Sequence, residues 1–188
     1  MCMTIRPLVR ADLDQVAEID ATIEAIATLH VERFGEGLDS SWRLALRPLA
    51  DKFIQSNPLD EETAFTLKQI ATGIDEGLAL VIEHDGQIIA LLLAQPRPAN
   101  RTLHLLDVRV DYDFRMQGLG SALLYQAIQS ARDAGFRAVS AFTLSSNHPA
   151  AQFLLKAGFE PAGLDTHRTD NQDLAQQSVT LLWYAPLD

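Results

Sequence analysis

The chain has 188 residues, 47% hydrophobic and 21% charged; that length and balance suit one globular domain spanning residues 1–188 and exclude a disordered composition. The formal net charge of −10 argues against a nucleic-acid partner, which calls for a basic face; acidity keeps a protein soluble, and it also favours a cationic partner. No charged leader precedes an apolar run and the longest apolar stretch, 88–94, is too short for a bilayer, so a soluble cytoplasmic protein with no membrane partner is expected. Residues 5–8 read as a first strand. Asp12 is placed to cap a helix from Leu13, with Val16, Ile19 and Ile23 at helical spacing. Residues 30–34 and 42–46 both alternate around Gly35 and Gly37, which predicts a β-hairpin; the Ala and Glu content of 20–33 leaves a helix as the alternative. Phe65, Leu67, Ile70, Ala71 and Ile74 predict a helix over 60–75. Residues 78–83 and 87–94 flank Asp85-Gly86, a pair suited to a type I′ turn, and Pro96 and Pro98 close the second strand. Residues 103–110 form a further strand. Ala122, Leu123, Ala127, Ile128 and Ala131 mark an amphipathic helix ended by Gly135. A strand over 136–144, a helix over 149–157 stopped by Gly158, and a closing strand over 179–184 complete an α/β chain. Its sheet should be mixed, with a right-handed crossover from strand 103–110 to strand 136–144.

The sharpest local feature is a strand, then Arg115-Met116-Gln117-Gly118-Leu119-Gly120, then a helix. The first turn of a helix offers backbone N–H groups without intrahelical partners, and the helix dipole adds positive character there. Glycines without Cβ atoms let an anion approach that backbone closely, and a pyrophosphate is a natural occupant. A P-loop would need Gly-Lys-Ser/Thr, but Gly120 is followed by Ser121-Ala122. A dinucleotide fingerprint would need Gly or Ala where Leu123 stands, and an acidic residue that 144–147 do not supply. A glycine-rich turn with no ligand is the plain alternative.

The stretch 105–120 resembles the central motif of the GNAT acetyltransferases. Asn147-His148-Pro149-Ala150 followed by Lys156-Ala157-Gly158-Phe159 is similar to the family's second motif, and Thr4-Ile5-Arg6-Pro7 with Asp12-Leu13 to its first strand and helix. Gly158-Phe159, Gly163-Leu164-Asp165, the terminal Leu182-Trp183-Tyr184 and the hairpin ending in Leu46-Arg47-Pro48 resemble streptothricin acetyltransferases and their relatives. The resemblance implies the GNAT fold, a mixed central sheet with flanking helices and a splayed pair of parallel strands that holds acetyl-CoA as cosubstrate. It implies main-chain bonds from Val108, Arg109 and Val110 to the pantetheine arm. Arg115, Met116, Gln117, Gly118, Leu119, Gly120 and Ser121 would hold the pyrophosphate, and Asn147 would lie beside the pantetheine. The implied activity is acetyl transfer to a primary amine. Acidity tilts the acceptor towards a small cationic molecule; a protein or peptide amine, and a non-catalytic CoA-binding or sensing module, are the alternatives.

Acyl transfer to an amine needs a neutral nitrogen, although an alkyl ammonium has a pKa of about 10, and it needs a stabilised thioester oxygen. No enzyme nucleophile is required, and Cys2, the single cysteine, would be a poor one at a chain terminus. Base candidates lie on strand 103–110. His104 has the better intrinsic pKa, about 6.5, and Asp107 would act through water or by attracting the amine. Strict alternation puts them on opposite faces, whereas a bulge would let both face a cleft. Alternatively, Asp107 pairs with Arg109 or Arg101, and His104 is a satisfied histidine against the sheet. The family's tyrosine acid would fall at Leu154, which leaves Tyr184 as a substitute donor. His30, His84, His148 and His167 show no metal-ligand spacing, so no metal is expected. Trp42, Phe34 and Trp183 suit the core or the contact of a homodimer.

Overall fold

The computed structural model describes residues 3–187; Cys2 lies outside the described residues. In chain order the elements are β1 (Met3–Pro7), α1 (Leu13–Glu18), β2 (Ile23–Glu36), β3 (Asp39–Gln55), α2 (Glu61–Ala71), β4 (Leu78–His84), β5 (Gln87–Arg97), β6 (Thr102–Val110), α3 (Leu119–Asp133), β7 (Ala138–Leu144), α4 (His148–Lys156), β8 (Glu160–Asp165), α5 (Asp173–Gln176) and β9 (Thr180–Pro186). They divide between two compact units, one formed by residues 1–22, 56–141 and 185–188, the other by residues 23–55 and 142–184.

The first unit carries a mixed sheet in the order β1-β4-β5-β6-β7. Its first three pairings are antiparallel and that of β6 with β7 is parallel, with α3 as the crossover between the parallel strands. The β4–β5 turn uses Asp85 and Gly86 at positive φ, as a type I′ turn demands. Val81, Leu91 and Leu93 of the sheet pack with Val16 of α1 and Leu67 of α2 in a buried apolar cluster. Asp60 starts α2 by accepting the Thr63 N–H at 2.8 Å, the expected N-cap contact. Strand β5 runs through Pro96 to Arg97 and closes at Pro98, where a short turn begins.

Helix α1 differs from its expected form at both ends. Asp12 occupies the N-cap position without a capping bond to α1; its carboxylate accepts instead from the Val9 N–H and the Arg6 guanidinium. The helix stops at Glu18, and Ile23 begins β2. Between them Asp20 accepts the Thr22 N–H at 3.0 Å, a local turn bond that competes with helix.

In the second unit, β2 and β3 form the antiparallel hairpin expected from their alternation, longer at both ends, with Gly35 and Gly37 at positive φ. The helical alternative for 20–33 is absent. The hairpin is anchored through Gln177, whose amide accepts from the Val31 N–H at 2.8 Å and donates to the Val31 carbonyl at 3.0 Å. Strands β8 and β9 pair antiparallel with an irregularity at Pro161. No segment pattern announced β8 or the single turn α5, since Pro161 and Gly163 interrupt the alternation by which a strand is read. Among the described residues no helix is long and apolar enough to cross a membrane.

Candidate active site

Strand β6 carries one residue more than β5 allows for. Leu93 opposes Asp107, while its neighbour Ala94 opposes Leu105, so Leu106 is skipped. This is a β-bulge. Leu91, Leu93 and Gln95 share one face of β5 by alternation, and their register partners are Arg109, Asp107 and His104. The bulge therefore brings His104 and Asp107 to the same face, although they are three residues apart. The parallel register with β7 runs from Thr102–Ala138 to Leu105–Ala141, whereas β6 continues to Val110. Residues 106–110, including Val108, Arg109 and Val110, continue β6 past Leu105.

Asp107 and Arg109 form a buried ion pair, with Nε 2.6 Å from Oδ2 and side chains 3% exposed for Arg109 and 14% for Asp107. The Arg109 guanidinium also donates to the Asn57 carbonyl at 3.4 Å, just ahead of α2. Burial pushes the Asp107 carboxyl above its ordinary range; the Arg109 charge and hydrogen bond pull it back, and Asp60 pushes it up again. The pairing of Asp107 with Arg109, one of the two partners the sequence offered, is the one that forms. Arg109 thus contributes a buried side chain as well as main chain. His104 is 5% exposed, and its Nδ1 lies 2.9 Å from the Ser140 hydroxyl on β7; which of the two donates depends on the tautomer. Asn57, Asp60 and Ser140 carried no sequence signal of a place in this cluster, because their proximity is made by pairing and not by spacing.

The glycine turn is built as an amide cradle. Met116 and Gly118 adopt φ of 60° and 79°, and α3 begins at Leu119. The first helical bond runs from the Ala122 N–H to the Gly118 carbonyl at 2.9 Å, so the N–H groups of Leu119, Gly120 and Ser121 precede it and point out of the helix start. A Cβ at Gly118 would meet no atom within 4 Å. These donors fit the pyrophosphate of a CoA thioester. Arg115 is different. Its guanidinium donates to the carbonyls of Thr22, Val110 and Asp20 and lies over the Tyr112 ring, and its N–H donates to the Tyr112 carbonyl. Arg115 therefore shapes the turn from within, and the expectation that it holds the phosphates passes to residues 116–121.

In the second unit, the Asn147 side chain caps α4 by accepting the Ala150 N–H at 3.2 Å. Leu154 is a buried core residue of α4, 4% exposed, so no phenol stands there. Tyr184 lies half-buried on β9, opposite Glu160 of β8.

The model of the Acetyltransferase (GNAT) family matches residues 42–159, more than half of the chain, and the chain belongs to that family. Among curated proteins it is similar to mycothiol acetyltransferase of Renibacterium salmoninarum, with 39% identity over 84 residues, 45% of this chain and 20% of that one. The chain thus spans about a fifth of that curated relative's length. Among solved structures it is similar to nourseothricin acetyltransferase, with a TM-score of 0.81, 21% identity and 100% of both chains covered. It is also similar to a protein of Bacillus anthracis str. Ames, provisionally assigned as a streptothricin acetyltransferase and solved in complex with acetyl coenzyme A. There the TM-score is 0.77 and the identity 24%, again over 100% of both chains. At these identities the structural likeness establishes the fold.

Proposed function

We propose that the chain transfers the acetyl group of acetyl-CoA directly to a primary amine of a small cationic molecule, antibiotic-like or polyamine-like, in the cytoplasm. The observation that carries this reading is the turn at 116–121, which opens α3 with N–H groups that have no intrahelical partner and follows shortly after β6. Residues 116–121 take the pyrophosphate, and Val108 to Val110 lend main chain to the pantetheine. The neutral amine nitrogen attacks the thioester carbon; a C–N bond forms, the C–S bond breaks, and the amine proton leaves through water. Asp107, on the face shared with His104, draws the ammonium form in, and His104 receives a proton through water. Tyr184 is the substitute proton donor for the leaving thiolate, and Tyr184→Phe should lower turnover about 100-fold; unchanged turnover removes it from the reaction.

Leu154 favours a second reading, a module that binds CoA without chemistry. Calorimetry with acetyl-CoA should show binding under either reading. A thiol-release screen over polyamines, aminoglycosides, streptothricin-type amines and peptides separates them. Turnover with the small amines supports the proposal, turnover with peptides alone redirects it to a protein acceptor, and silence across the panel favours the binding module.

A further inference from the structure

The Arg109 side chain has no part in the reaction as set out above, yet it is among the most enclosed charges of the first unit. It sits two residues from Asp107 on one face of β6, opposite Leu91 and Leu93, both fully buried. Its Nε takes one oxygen of Asp107 at 2.6 Å, and a terminal nitrogen reaches the Asn57 carbonyl. A carboxylate against an apolar wall, left alone, takes up a proton instead of keeping its charge. We propose that Arg109 is a positioning residue for amine acetylation: its guanidinium, bonded to Oδ2, holds the Asp107 carboxylate in place and anionic to meet the acceptor's ammonium. This role rests on the acetyl-transfer reading. The other titratable groups facing Asp107 are Asp60, at the head of α2, and His104, on the same face of β6. Asp60 opposes Arg109 by raising the Asp107 carboxyl, so the two residues give variants of opposite sign.

The test uses the full chain labelled with 13C at the aspartate carboxyls, the Asp107 resonance being assigned through Asp107→Asn. It follows that resonance and the pH profile of kcat/KM for an accepted amine. In Arg109→Gln both the carboxyl titration and the acid limb of the profile should move up by about one pH unit or more. Arg109→Lys, which keeps the charge and loses the fork, should fall between that variant and wild type. Asp60→Asn keeps a side chain suited to capping α2 and should move both readouts down, which holds the proposal to account even where Arg109→Gln fails to fold. An Asp107 titration that does not respond, or a pH profile that stays put while only the melting temperature falls, makes the pair a structural ion bridge and overturns the proposal. Wild-type silence towards every amine sinks acetyl transfer and this role with it; turnover with an unmoved titration sinks this role alone.

Discussion

Gly118 and Gly135 lie at opposite ends of α3 and make a matched pair. Their φ values are 79° and 74°, and a Cβ at either would meet no atom within 4 Å. Alanine at either site is therefore opposed by left-handed backbone strain alone, about 1–2 kcal/mol, partly offset by a less flexible unfolded chain. Gly118→Ala and Gly135→Ala should each cost about 1 kcal/mol and lower the melting temperature by about 2–4 °C for a domain of this length. Their effects on the ligand should diverge. Gly118 is the N-cap of α3, next to the amides of 119–121, whereas Gly135 lies past the far end of the helix. Calorimetry should show acetyl-CoA affinity falling about tenfold for Gly118→Ala, equivalent to about 1.4 kcal/mol, and unchanged for Gly135→Ala. Equal affinities for the two variants, measured where both are folded, would refute the assignment of the pyrophosphate to this turn.

Gly120 should behave with opposite signs in the two assays: it lies inside α3, so Gly120→Ala should raise the melting temperature through helix propensity while weakening acetyl-CoA binding. Asp12 is held below the ordinary carboxylate range by its hydrogen bonds from Arg6, and the Val9 N–H adds to this. Its contribution is therefore fully present above a pH of about 4 and is lost as the pH falls through the depressed folded value. Asp12→Asn should cost about 2 kcal/mol at neutral pH and flatten the acid limb of a stability–pH curve measured by urea unfolding; an unaltered limb would show that the pair is idle. Gln177→Ala removes both amide bonds to Val31 and should speed hydrogen exchange at the Val31 N–H, with about 1–2 kcal/mol lost; unchanged protection would show that the hairpin does not depend on this anchor.

Much of the fold was legible because its signals are local. Asp85-Gly86 announced its turn, Gly135 and Gly158 their helix ends, and the 3.6-residue period of 122–131 its helix. The glycine turn was legible for the same reason, since strand, positive-φ glycine and helix are neighbours in sequence. The hairpin over 30–46 was ambiguous because Ala and Glu favour helix while alternation favours strand, and pairing along β2 and β3 resolved it.

The chain by itself determined most of its helices, strands and turns, and where backbone amides could gather about an anion, because those properties depend on residues within a few positions of one another. Tertiary structure alone decided the rest. The bulge at Leu106 is a mismatch between two strands and exists only once β5 and β6 pair, yet it sets His104 and Asp107 on one face. The choice of Arg109 as the partner of Asp107 depends on a wall of Leu91 and Leu93 that excludes water, and on a carbonyl that arrives from Asn57. Arg115, read as a phosphate ligand, is drawn inward by the carbonyls of Asp20 and Thr22. Buried polar groups take the partners that folding places beside them, because an unpaired one is costly away from water, and carbonyls such as those of Asn57 and Thr22 arrive from far away in sequence.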